Sequence, residues 1–218
     1  MAGRLQSVMF RGPAGTLEGL WKEAVGRPRG AAVFAHPHPL HGGTMHSRVV
    51  YRVAQALTKS GYTTLRFNFR GVGLSEGRYD AGGGETHDFR AALAEAQHHA
   101  GLPLVAGGFS FGAAVALRAT VKDPRIEAFI GLGLPVATES GRQLPRPAAP
   151  ALFAVGERDV HGPPEDLERF LEGSAAKMVV IPGADHFFDG SLELLEATIT
   201  TFLEALPDRS ARREETGS

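Results

Sequence analysis

One stretch, Leu104-Val105-Ala106-Gly107-Gly108-Phe109-Ser110-Phe111-Gly112-Ala113-Ala114-Val115, constrains the fold more than any other. An apolar run of strand length ends in Gly-x-Ser-x-Gly, and a small-residue helix pattern follows at once. The pattern predicts strand, sharp turn and helix, with Ser110 at the apex. Such a turn forces the serine backbone into strained geometry and draws neighbouring segments together. Glycine at 108 and 112 removes the side chains that would collide there. The hydroxyl then projects beyond the end of a sheet, where a substrate carbonyl can reach it.

Further apolar runs repeat the theme. Val8-Met9-Phe10 and Leu17-Glu18-Gly19-Leu20-Trp21 flank Gly12-Pro13-Ala14-Gly15 and read as an N-terminal β-hairpin. Strands are predicted at 31–35, 63–67, 128–132, 151–155 and 177–181, besides the one leading to Ser110. Helical spacing appears from Val49 to Leu57, over 85–99 with Phe89, Leu93 and Ala96 inward, over 165–171 and over 192–206. Strands alternating with helices at this interval build an α/β fold: a mostly parallel twisted sheet with helices on both faces. Residues 1–206 form one domain, and the charged tail 207–218 is too poor in apolar residues to join a core.

At 218 residues and a formal charge of −1, the chain has no cationic surplus to attract nucleic acid or an anionic membrane. No apolar run approaches the ~20 residues that span a bilayer, and the N-terminus lacks the apolar core of a signal peptide. The absence of cysteine excludes disulfides and thiolate metal sites and is compatible with a cytoplasmic location. Nothing in the chain calls for a cofactor, and the oligomeric state stays open between monomer and homodimer.

A serine nucleophile needs a base, and the base needs an orienting carboxylate. Asp159 follows the strand 151–155, and His186 follows the strand 177–181. Loops at the carboxyl ends of parallel strands share one edge, so Ser110, Asp159 and His186 can converge there. Glu157, Asp185 and Asp189 are rival carboxylates. Asp185 adjoins the histidine in sequence, where neighbouring side chains diverge.

The developing oxyanion needs two backbone donors. Phe111 N–H, at the start of a helix, supplies one. The other is expected from His36-Pro37-His38-Pro39-Leu40-His41-Gly42-Gly43. Pro37 and Pro39 have no N–H, which leaves His38, the preferred donor, or Leu40. Four histidines (His36, His38, His41 and His46) crowd this loop, but no nearby Asp, Glu or Cys joins them. Hydrogen bonding to the backbone is a better reading than metal ligation.

With these residues assembled, the chain resembles the α/β-hydrolase superfamily over nearly its whole length. It is most similar to small, lidless bacterial members that carry a His-Pro-His-Pro-Leu-x-Gly-Gly loop. Asn68-Phe69-Arg70-Gly71-Val72-Gly73-Leu74-Ser75 resembles the superfamily's Arg-Gly-x-Gly-x-Ser loop. Gly156-Glu157-Arg158-Asp159 and Gly183-Ala184-Asp185-His186-Phe187 resemble its acid and histidine segments. The resemblance implies a serine hydrolase with the triad Ser110, Asp159 and His186, commonly an esterase on small acyl esters. A thioesterase or amidase would use the same groups, and a non-catalytic scaffold would keep only the fold. The usual His-Gly-x of the superfamily is here His36-Pro37-His38, so the second oxyanion donor is not fixed by analogy.

Between Leu134 and Pro150 no amphipathic helical spacing appears, so no lid is expected. The site should be open and shallow, suited to a small-molecule ester with a short acyl chain. Phe109, Phe111, Phe187 and Phe188 are candidates to wall it, with Phe109 and Phe187 singled out for substrate contact and core packing expected for at least two of the four.

Overall fold

The chain begins as an antiparallel ribbon of β1 (Leu5–Gly12) and β2 (Gly15–Lys22), joined by the two residues Pro13 and Ala14. Six further strands follow: β3 (Gly30–Ala35), β4 (Tyr62–Phe67), β5 (Leu104–Phe109), β6 (Ile126–Leu132), β7 (Ala151–Gly156) and β8 (Lys177–Ile181). The order across the eight-stranded sheet is β1-β2-β4-β3-β5-β6-β7-β8. β2 meets β4 antiparallel, and every pair from β4 to β8 is parallel. This computed structural model describes residues 3–101, 103–138 and 144–207. The predicted tail beyond Pro207 lies outside the described residues, as does 139–143 of the predicted lidless interval.

Alternation along the buried strands divides the core in two. Ala31, Val33, Ala35, Leu104, Ala106, Phe129 and Phe153 face α2 (Gly83–Ala100), α3 (Phe111–Thr120) and α4 (Pro164–Leu171). Ala32, Phe34, Val105, Ile130, Leu132 and Leu152 face α1 (Arg48–Lys59) and α5 (Leu192–Glu204). Parallel strands covered on both faces have little use for polar residues, which is why they read as continuous apolar runs. Buried polar residues gather in β4, where Thr63, Thr64 and Arg66 lie and Arg66 donates to Met45 O at 2.8 Å, and Glu127 adds another in β6.

From β3 the chain passes to β4 on one side and then crosses to β5 on the other. The order of connections therefore reverses between β3 and β5. Ligands of open α/β sheets bind in the crevice beyond the strand ends at such a point. Ser110 and the histidine-rich loop both emerge there.

Two helix ends differ from the sequence expectation. α2 starts at Gly83, not at 85, because Glu85 accepts from the N–H groups of Asp80 and Gly82, each at 2.8 Å, and Asp80 caps Gly84 N–H at 2.9 Å. Gly84 leaves room for the Arg70 guanidinium, which would lie 2.0 Å from a Cβ there. α5 ends at Glu204, with Ala205 as its cap, two residues short of the predicted 206. Between β6 and β7, the described residues hold one short 3-10 turn, Val136–Thr138, and no α-helix.

Candidate active site

Ser110 sits at φ 55° and ψ −121°, a conformation that few residues other than glycine adopt. Tertiary contacts hold it there: its N–H donates to Leu132 O at 2.8 Å, and its carbonyl accepts from Ala113 and Ala114 N–H in the first turn of α3. The flanking glycines permit the close approach. A Cβ at 108 would fall 2.3 Å from Gly112 C, and one at 112 would fall 2.4 Å from His36 O. The predicted strand, turn and helix are therefore present, and the strain falls on the serine.

His186 Nε2 lies 3.0 Å from Ser110 Oγ, and His186 Nδ1 lies 2.7 Å from Asp159 Oδ2. Three side chains from strands β5, β7 and β8 thus meet beyond one sheet edge. An ionised carboxylate can only accept, so the imidazole proton sits on Nδ1 and Nε2 is free to accept Ser110 O–H. Burial alone would push the Asp159 carboxyl up. The hydrogen bond and charge of His186, with the N–H groups of Gly162 and His161 on Oδ1 at 3.0 and 2.9 Å, outweigh burial and hold it below the usual carboxylate range. The rivals have other partners. Glu157 accepts Gly183 N–H at 2.7 Å, Asp185 caps Phe187 and Asp189, and Asp189 pairs with Arg48.

Phe111 is the first residue of α3, so its N–H has no intrahelical acceptor. The loop after β3 packs on it, with the His38 and Phe111 rings 5.0 Å apart. Within that loop a 3-10 turn spans Pro39–His41, and Leu40 N–H already donates to His38 Nδ1 at 3.2 Å. Leu40 N–H is thereby engaged within its own loop. The same bond puts the His38 proton on Nε2, facing Tyr79 Oη at 3.0 Å. Burial and then the neighbouring His41 push His38 below the usual histidine range, against the pull of Glu85. Among the described residues, no three His, Asp or Glu side chains gather to hold a metal, and no helix is long and apolar enough to cross a membrane.

A sequence profile of the alpha/beta hydrolase domain matches residues 28–206. The chain belongs to the alpha/beta hydrolase family. A serine hydrolase homologue from Coxiella burnetii superimposes with a TM-score of 0.85 at 37% identity, covering 90% of this chain and 96% of that one. A protein of Xanthomonas campestris described as an α/β serine hydrolase without lid gives 0.87 at 31% identity, over 94% and 96%. An uncharacterized protein of Rickettsia prowazekii is 34% identical over 213 residues, 91% of this chain and 89% of its own length.

Around these groups the hydrolase carries a supporting network, in which the loop histidine His36 bonds to backbone as expected. His36 is fully buried: its Nδ1 lies 2.6 Å from Pro37 O, and its Nε2 accepts Phe69 N–H at 3.1 Å. It ties the loop after β3 to the loop after β4, and burial pushes its pKa down to about 4. Asn68 adds a second tie, accepting Met45 N–H at 2.9 Å while donating to Glu18 at 2.8 Å. The Arg-Gly-x-Gly-x-Ser loop proves to be scaffolding. Arg70 forks onto buried Asp88 at 2.8 and 2.9 Å, and Ser75 donates to Asn68 O at 2.7 Å. Phe109, expected at the substrate, is 1% exposed, belongs to the core and packs against the His186 ring at 5.1 Å. Phe188 is likewise core, whereas Phe187 is 53% exposed. Also missed was His161, whose exposed ring stands 4.8 Å from that of His186.

Proposed function

We propose that this chain is a carboxylesterase-type serine hydrolase of small, short-chain esters, working through an acyl-enzyme. His186 takes the Ser110 proton as Oγ attacks the ester carbonyl, and Asp159 steadies the imidazolium. The N–H groups of Phe111 and His38 receive the oxyanion. The alcohol leaves with the proton from His186 Nε2. Water, deprotonated by the same nitrogen, then attacks the acyl carbonyl and releases the acid and free Ser110. The observation that carries this reading is the chain of contacts from Asp159 Oδ2 through both ring nitrogens of His186 to Ser110 Oγ. The lidless relative, and a connection between β6 and β7 whose described residues hold no α-helix, support an open site for short acyl chains.

A fluorophosphonate probe is expected to label the wild-type protein and not Ser110→Ala. Turnover of p-nitrophenyl acetate should fall at least about a thousandfold in that variant. Undiminished turnover would refute the assignment. Across p-nitrophenyl esters, activity is expected to decline from acetyl to dodecanoyl, and the opposite trend would contradict the short-chain reading. Matched thioesters and amides complete the panel, with esters expected to be the best substrates.

A further inference from the structure

We propose that the exposed rings of His161 and Phe187 form the subsite for the alcohol half of the substrate, and that the preferred esters carry an aromatic ring there. The inference rests on the acyl-enzyme reading above and deepens it.

The base fixes where the alcohol must lie. His186 Nε2, 3.0 Å from Ser110 Oγ, has to pass its proton to the leaving oxygen. That oxygen therefore comes within about 3 Å of Nε2, and the first atoms of the alcohol rest beside the imidazole. Three aromatic rings besides Ser110 and Asp159 surround that imidazole: Phe109 at 5.1 Å, His161 at 4.8 Å and Phe187 at 5.4 Å between centroids. Phe109 is inaccessible. His161 and Phe187 are exposed, and both stand edge-on to the base, at 65° and 84°. An alcohol bound next to Nε2 meets these two rings.

A lone exposed phenylalanine needs no explanation, but this one is held in position. Asp185 Oδ1 accepts the N–H groups of Phe187 at 3.0 Å and Asp189 at 3.2 Å. Phe188 adopts φ 56°, which is costly for a residue with a Cβ, and turns its own ring fully into the core. The consequence is that two adjacent phenylalanines part company, and Phe187 stays outside beside the base. The backbone of His161 is fixed in the same manner, its N–H donating to Asp159 Oδ1 at 2.9 Å. The backbone beneath each exposed ring is thus pinned by a carboxylate, by Asp185 beside His186 for Phe187 and by Asp159 itself for His161, and the two rings make one wall.

Ring walls discriminate by shape and by charge distribution. The positive edge of one aromatic ring attracts the negative face of another, an attraction that a saturated ring of equal size cannot return. Benzyl acetate and cyclohexylmethyl acetate isolate this effect, because both release a seven-carbon primary alcohol. The wild type is expected to favour the benzyl ester in kcat/KM by roughly five- to tenfold. In the double variant His161→Ala and Phe187→Ala the ratio should approach one, with intermediate ratios in the single variants. The ratio separates a substrate contact from a structural role, since a misplaced base would slow both esters equally. A ratio near one in the wild type, or one that persists in the double variant, overturns the proposal. A wild-type protein that fluorophosphonate labels but that hydrolyses neither ester refutes the subsite alone. Failure of labelling refutes the acyl-enzyme reading beneath it.

Discussion

Lowering the pH from 7.5 to 5 should withdraw about 2 kcal/mol of stability through one side chain, His36. The folded protein holds this imidazole neutral, with Nδ1–H donating to Pro37 O and Nε2 accepting Phe69 N–H. A second proton would bury a charge and set two donors face to face, which is why the folded pKa falls from 6.5 to about 4. The unfolded chain releases the imidazole to water and to its ordinary titration. Between those two values the unfolded state binds the proton more readily. The stabilisation is therefore fully present above pH 6.5 and is lost as the pH falls, reaching about 3 kcal/mol by pH 4 at about 1.4 kcal/mol per pH unit. His36→Gln keeps a donor and an acceptor but cannot titrate. Urea unfolding of both proteins, followed by emission of the single tryptophan, Trp21, gives the difference in stability at each pH. Other titrating groups cancel in that difference, which should shift by about 2 kcal/mol against the wild type between pH 7.5 and 5. Parallel curves would show that His36 titrates alike in both states and would refute the argument.

Two substitutions test the strained turn. Ser110→Gly should be more stable than Ser110→Ala by about 1 kcal/mol, because glycine accepts φ 55° without a Cβ penalty. Chemical denaturation of the two inactive variants measures it, and equal stabilities would mean that the turn is unstrained. Gly112→Ala places a methyl group 2.4 Å from His36 O and 2.8 Å from Ala35 O, both on backbone that cannot yield without moving the elbow. A loss of about 2 kcal/mol is expected, together with reduced p-nitrophenyl acetate turnover. A variant that melts at the wild-type temperature would argue against so close an approach.

The parallel strands were legible because burial on both faces leaves the same imprint along each one, as in Ala31 to Ala35. The meeting of Ser110, Asp159 and His186 was legible for a related reason. Each member follows a strand directly, and the architecture sends those strand ends to one edge. What escaped notice depends on partners far away in sequence. The start of α2 is set by Glu85 and Asp80 capping its first turn, and the glycine run at 82–84 reads locally as a loop. His36 was seen as one of four crowded histidines, but its decisive partner, Phe69 N–H, lies 33 residues on. Phe109 and Phe187 look equivalent in sequence. Phe109 is the last residue of β5 and points into the core, whereas Phe187 is carried outward by the left-handed turn at Phe188. His161 gave a local signal that went unused: it sits two residues after the acid, within reach of whatever the acid holds.

The proposed triad is divided unevenly across the sheet. Ser110 rises from β5 near the middle, while Asp159 and His186 hang from the last two strands on one side. β8 has a single neighbour and is the least buried of the parallel strands. Local opening costs least where buried contacts are few, so fraying of that margin can carry His186 away while the serine turn and the core stay whole. Trp21 lies toward the opposite margin, in β2. The proposed esterase activity should thus fall silent under mild denaturant and return at once on dilution, with the tryptophan emission unchanged throughout.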